Sequence, residues 1–265
     1  MKITVLNNIL EANDVIAGQI RRRLDEHRVL AINLMGSPGA GKTALLEATA
    51  RALGGRRELG AISGDLANER DAERLRRAGV PSIGITTGSA CHLDAAMVHR
   101  ALHDPPWRRI DCLFIENVGN LVCPAIYDLG QAANVVVLSV TEGEDKPLKY
   151  PVMFKVADLV LVTKKDLVPH LDVDLARLHD ALARVMPRPS VIEVSARTGE
   201  GIDRWIRWLE ELRAPIARGA TPEGRAHALA HGHDAGHGPA HPHGHDHGHD
   251  HPHAHDHGPA RGRGR

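Results

Sequence analysis

The chain has 265 residues, 42% of them hydrophobic, with 33 Lys and Arg against 33 Asp and Glu. It can therefore bury a proper core, but it has no global basic field with which to hold nucleic acid or an anionic membrane surface. No apolar run approaches the ~20 residues that span a bilayer, and three cysteines without a charged-then-apolar leader fit a reducing compartment better than a disulfide framework, so the expectation is a soluble, cytoplasmic protein with no nucleic-acid or membrane partner.

Residues 1–28, with NNILEANDVIAGQIRRRLDEH, read as one amphipathic lead-in helix that packs on a sheet or on a partner. From Val29 onward, short β-branched runs (VLAINLM, LGAIS, VPSIGITT, IDCLFIEN, NVVVLSV, ADLVLVT and SVIEVSA) alternate with stretches of helical period. ALLEATARAL, RDAERLRRAG, DLARLHDALARVM and DRWIRWLEEL are the clearest of those helices. Strands alternating with helices imply an α/β fold with a doubly wound, mainly parallel sheet. The expected domain runs over 29–215. Past it, 216–265 turns to Ala, Gly, Pro and His.

Gly36-Ser37-Pro38-Gly39-Ala40-Gly41-Lys42-Thr43 fits GxxxxGK[ST], and it follows an apolar strand and precedes a helix. In such a loop the backbone N–H groups and the helix N-terminus converge on phosphate oxygens, Lys42 reaches the β- and γ-phosphates, and the Thr43 hydroxyl ligates Mg²⁺. Asp65, in AISGD, and Glu116, ending IDCLFIE, are carboxylates placed after strands, where they face the phosphate end of a parallel sheet. Together with Lys42 they are the candidates for catalysis, and with Thr43 for Mg²⁺; either carboxylate could instead be a helix cap or a surface charge. ENVGN is not followed by a water-orienting glutamine, so intrinsic hydrolysis should be slow.

Cys91 and His92, in GSACHLDAAMVHRAL, and Cys123, in GNLVCPA, form a borderline-soft ligand set suited to Ni²⁺ or Zn²⁺ if the strand ends that carry them are neighbours. The plainer alternative is a small residue before a helix and a thiol in a turn. His99 and His103 stand one helical turn apart, on what reads as a solvated face. Cys112 falls inside an apolar strand and reads as an inert core residue.

Thr163-Lys164-Lys165-Asp166 follows the strand ADLVLVT and resembles the NKxD guanine-reading motif. Its aspartate accepts hydrogen bonds from the ring N–H and the exocyclic amino group of guanine, a pair of donors that adenine lacks, so GTP is the expected nucleotide. Thr163 replaces the usual asparagine, which leaves one stabilising contact in question. Ser195-Ala196 resembles the SA element that offers a backbone N–H to the guanine carbonyl. TKKD could otherwise be a solvated strand end.

The last segment holds His231, His233, His237, His241, His243, His245, His247, His249, His251, His253, His255 and His257 among Gly, Pro and Asp, without Leu, Ile, Val or Phe. Such a ribbon cannot bury enough apolar surface to order itself, and closely spaced imidazoles read as metal ligands. At two to four imidazoles per ion, roughly three to six ions of Ni²⁺ or Zn²⁺ would be held weakly.

GSPGAGKTALL, GDLANERDAERL, GSACHLDAAMV, FIENVGNLVCPA, SVTEGEDKPLKYPVMF and TKKDL, in this order, resemble the HypB family, the nickel-incorporation GTPases of [NiFe]-hydrogenase maturation. The resemblance covers roughly residues 5–215. It implies a GTPase of the SIMIBI class that forms a GTP-dependent homodimer and binds Ni²⁺ or Zn²⁺ through Cys91, His92 and Cys123 at the dimer face. It also implies a HypA-type nickel chaperone and a hydrogenase large-subunit precursor as partners. Two features depart from the family: MKITVLNN lacks the cysteine motif found near the start of some members, and the His-rich segment follows the GTPase domain rather than preceding it. The urease accessory GTPases would present Cys-Pro-His where this chain has CHLD. A metal-storage protein whose GTP site only controls assembly is the other alternative, and it would have no need of Asp166 or Glu116.

Overall fold

The computed structural model of the chain describes residues 2–66, 69–103 and 107–219. The His-rich segment and its expected metal ligands lie outside the described residues. Helix α1 (Lys2–Glu26) leads in, and β1 (Leu30–Met35), α2 (Lys42–Leu53), β2 (Leu59–Asp65), α3 (Arg70–Arg77) and β3 (Ser82–Thr86) follow. Next come α4 (Ala95–Ala101), β4 (Cys112–Glu116), β5 (Ala133–Ser139), α5 (Lys146–Lys149) and α6 (Pro151–Lys155), and then β6 (Leu159–Thr163), α7 (Leu175–Val185), β7 (Val191–Glu193) and α8 (Ile202–Ala217). All seven apolar runs are strands of one sheet in the order β3-β2-β4-β1-β5-β6-β7, and every pairing is parallel.

β1 is central, and all six of its residues are buried, as a strand covered on both faces requires. Leu30, Ile32 and Leu34 point to the layer formed by α2, α3 and α8, whereas Ala31 points to α1 and α4 and Met35 to the group that includes α6 and α7. The period-two alternation of the strand thus divides its side chains between two helical layers. Trp205 of α8 is fully buried, and its indole N–H donates to Thr49 Oγ1 of α2 at 3.0 Å while Thr49 donates to Leu45 O at 2.7 Å. A large apolar ring can be buried there because its one polar atom has a partner. The contact fixes α2, whose first turn carries Lys42 and Thr43, against α8.

After β4 the chain crosses β1 to begin β5, so growth of the sheet changes direction about β1. Ligands of open α/β sheets bind at such a switch, beyond the carboxyl ends of the strands. The expected phosphate loop lies there. Among the described residues, no helix is long and apolar enough to cross a membrane.

Candidate functional site

The phosphate loop joins β1 to α2 through three glycines with positive φ: Gly36 at 148°, Gly39 at 76° and Gly41 at 97°. At Gly36 a Cβ would fall 2.2 Å from the carbonyl oxygen of Val137, so only glycine can pass that close to β5. Lys42 Nζ donates to the carbonyls of Gly36 and Ser37, each at 3.2 Å. Burial lowers the Lys42 pKa, while the charges of Glu116, Asp71, Glu142 and Asp65 oppose that shift. The loop fits a phosphate ligand: Ser37 Oγ is buried there without a hydrogen-bond partner, and nothing lies within 4 Å of a Cβ built on Gly39.

The two sequence-predicted carboxylates end adjacent strands. Glu116 is 3% exposed; it accepts from Thr43 Oγ1 at 2.7 Å and from Ser63 Oγ at 3.4 Å. Burial pushes its pKa up to about 7, opposed by the Thr43 bond and by Lys42. A hydroxyl and a carboxylate brought together beside a phosphate-loop lysine are the hard oxygen donors that suit Mg²⁺. Asp65 closes β2 half-buried, near enough for its charge to act on Lys42. Ser63 was not singled out from sequence, although it stands two residues before Asp65 on the same strand and so faces the same way.

At the opposite side of the loop a pocket of about 390 Å³ is lined by Gly41, Thr163, Lys164, Asp166, Ala196 and Arg197, among others. Asp166 accepts from Ser195 Oγ at 2.6 Å and from Arg197 Nε at 2.7 Å, and these bonds, Ser195 first, hold its carboxyl below the usual range. Thr163 Oγ1 donates to the carbonyl of Ala40 at 2.6 Å, so the hydroxyl that replaces asparagine ties this strand end directly to the phosphate loop. Lys164, with left-handed backbone at φ 58°, donates to Gly39 O at 2.7 Å. Arg197 was missed from sequence, though it directly follows the SA pair.

Cys91, His92 and Cys123 do meet: one ligand atom from each lies within 4.8 Å of the others. The sulfurs of Cys91 and Cys123 are 3.0 Å apart, and Cys91 Sγ is 3.8 Å from His92 Nδ1. His92 stacks on Tyr127 with centroids 4.0 Å apart, and burial lowers its pKa, which favours the neutral imidazole that can ligate. Cys123 is raised, mainly by its contact with Cys91. Two sulfurs and an imidazole are suitable for Zn²⁺ or Ni²⁺, and three donors are one fewer than a closed tetrahedral site uses. Cys112 is buried in β4 with its pKa pushed up to about 12 by burial, in keeping with a core role. The rings of His99 and His103 are 5.3 Å apart, and His103 is exposed.

The segment from Glu116 to Cys123 runs against the phosphate loop. A Cβ on Gly119 would lie 2.7–2.9 Å from atoms of Pro38, and Asn120 forms an isolated antiparallel bridge with Gly36. Asn117 Oδ1 accepts from the N–H of Leu93, the residue after His92, at 3.0 Å. These amides and glycines join the two halves of the site, and sequence spacing alone does not reveal them.

A family model described as "CobW/HypB/UreG, nucleotide-binding domain" matches residues 30–193. The hydrogenase maturation factor HypB of Azotobacter vinelandii is 49% identical over 228 residues, which cover 86% of this chain and 75% of that protein. Among solved structures, HypB from Archaeoglobus fulgidus is 39% identical with a TM-score of 0.72, over 77% of this chain and 100% of that one. HypB from Helicobacter pylori in complex with nickel is 38% identical with a TM-score of 0.73, over 77% of this chain and 95% of that one. A phosphate loop at the switch point of an all-parallel sheet, in a chain so similar to these proteins, places it in one family: the chain belongs to the HypB hydrogenase maturation factors, within the CobW/HypB/UreG nucleotide-binding proteins.

Proposed function

We propose that the chain is a GTP-hydrolysing nickel metallochaperone for [NiFe]-hydrogenase maturation, working in the cytoplasm. The observation that carries this reading is the segment Glu116–Cys123: it begins at a carboxylate bonded to Thr43, passes against Pro38, and ends on a thiol beside Cys91 and His92. A change at the γ-phosphate would thus reach a cargo ligand through one short stretch of backbone.

In this reading Gly36–Thr43 cradle the triphosphate, and Lys42 neutralises charge that develops on the transferred phosphoryl group. Thr43, Asp65 and Glu116 would hold Mg²⁺, which would supply electrostatic stabilisation of the charge on the phosphates. Asp166 reads the guanine edge once Arg197 and Ser195 give way, with Ala196 beside the base carbonyl. Cys91, His92 and Cys123 hold Ni²⁺ as cargo, or Zn²⁺ in its place. The fourth donor comes from outside the chain, which suits a GTP-dependent homodimer, a HypA-type nickel chaperone, and finally the hydrogenase large-subunit precursor. The histidines from His231 to His257 act as a nickel reservoir.

The test is Mg²⁺-dependent hydrolysis of GTP against ATP. Lys42→Ala should lower turnover by about 10²–10³-fold, the usual consequence of removing one donor aimed at transition-state charge. Equal hydrolysis of GTP and ATP by the wild type would contradict the guanine assignment.

A further inference from the structure

Helix α1 reaches the candidate cargo site without contributing a ligand to it. Asn13, 6% exposed, donates through Nδ2 to the carbonyl of Asp128 at 2.8 Å and accepts at Oδ1 from the N–H of Ala95 at 2.9 Å. Ala95 is the first residue of α4, immediately after the CHLD stretch, and Asp128 lies three residues beyond the short turn Cys123–Ala125. One side-chain amide therefore joins the two segments that carry the ligands. Two more contacts seat the segment that follows this turn on α1. Arg21 Nη2 donates to both oxygens of the Asp128 carboxylate, at 2.8 and 2.7 Å. Gly130, with φ at 80°, approaches so closely that a Cβ would lie 2.8 Å from Ala17 O and 2.7 Å from Ile20. Tyr127, next to the tethered Asp128, is the ring on which His92 stacks.

We propose that Asn13 is a positioning residue of the metal site, holding Cys91 and His92 at chelating distance from Cys123; this rests on reading those three residues as the cargo ligands. A planar carboxamide is suited to the task because it donates to a carbonyl and accepts from an N–H at once. Aspartate is nearly the same shape, but when ionised it can only accept, so it keeps the bond to Ala95 and loses the one to Asp128. Partners beyond the ligands themselves set ligand orientation, and their loss typically weakens metal binding about 10–100-fold. The lead-in helix is on this account part of the metal centre, and anything that shifts α1 loosens the chelate.

Co²⁺ titration of the full-length protein tests this, read from the thiolate-to-cobalt charge-transfer band, which the imidazoles of the His-rich segment do not produce. Asn13→Asp should raise the Co²⁺ midpoint about 10–100-fold while guanine-nucleotide affinity stays unchanged. A wild-type midpoint, or metal and nucleotide affinities falling by the same factor, would overturn the proposal. If Asn13→Asp does not fold, Arg21→Ala carries the test, since that pair is about one-third exposed. A smaller shift in the same direction is then expected, and a wild-type midpoint overturns the idea. Cys91→Ser should weaken the band by removing one of two thiolates, and Cys91→Ser with Cys123→Ser should lose it; a wild-type band in either means that the ligand reading fails, which is a separate outcome from failure of the role given to Asn13.

Discussion

The Thr43 hydroxyl donates to Oε1 of Glu116 at 2.7 Å, joining the first turn of α2 to the carboxyl end of β4. The bond crosses from the phosphate loop to the strand that leads toward Cys123, and it gives one buried carboxylate two tasks. In the proposed role Glu116 would have to be ionised to hold Mg²⁺, yet its burial favours the proton.

The pH dependence follows from that conflict. The Glu116 pKa is raised from 4.5 to about 7 in the folded protein, so the folded state retains a proton that the unfolded chain loses. Its contribution to stability is complete below pH 4.5 and is lost as pH rises through about 7. Glu116→Gln should be less pH-sensitive over that window in urea unfolding without Mg²⁺ or nucleotide, and more stable than wild type above it by up to about 3 kcal/mol. The same variant should lose Mg²⁺-dependent GTP hydrolysis. Identical stability profiles for the two proteins would show that Glu116 is not protonated by burial.

Asp166 should set nucleotide identity. Its replacement by asparagine removes charge-assisted bonds each worth about 1.5–3 kcal/mol, so GTP affinity should fall by about one to two orders of magnitude. Xanthosine triphosphate binding should improve, because the amide can donate to the additional carbonyl. Competition binding with a fluorescent guanine nucleotide measures both, and unchanged discrimination in Asp166→Asn would remove this residue from base recognition.

The three cysteines should differ in chemistry. Cys112 is buried with its pKa pushed up to about 12, so it has almost no thiolate at neutral pH. Iodoacetamide followed by mass spectrometry should label Cys91 and Cys123, both partly exposed, and leave Cys112 unlabelled until the protein is denatured. Nickel should protect the first two. Native labelling of Cys112 at a comparable rate would contradict its placement in the core.

The His-rich segment should store nickel without taking part in hydrolysis. Deleting residues 227–265 should remove most of the bound nickel, measured by equilibrium dialysis, and leave GTP turnover and affinity nearly unchanged. Retained nickel should depend on pH near ~6.5, where protons occupy free imidazoles. Loss of GTP hydrolysis on truncation would make the segment part of the delivery mechanism instead.

The elements legible in sequence were those set by local rules. Seven strands showed as short β-branched runs, and Gly36–Thr43 as glycines placed where a loop must turn with positive φ. Cys91, His92 and Cys123 could be named as ligand types, but their meeting depends on β3 and β4 both flanking β2. Asn13 carried no signal, because its partners Ala95 and Asp128 are 82 and 115 residues away. Nor did Tyr127 or Gly119, whose importance lies in a stacked ring and in a close approach to Pro38. Thr163 looked like a weakened asparagine, and only tertiary contact shows its hydroxyl bonded to Ala40.

The central claim is that nucleotide and cargo sites act on each other, and linkage makes it directly measurable. Nickel affinity of protein lacking residues 227–265 should be compared by equilibrium dialysis in the presence of GDP and of a non-hydrolysable GTP analogue, each with Mg²⁺. The account predicts one site that requires Cys91 and Cys123, with affinities in the two nucleotide states differing by about 5–150-fold, the usual range of coupling between sites. Equal nickel affinity in both states, or a site that persists in the Cys91→Ala, Cys123→Ala double variant, would contradict it.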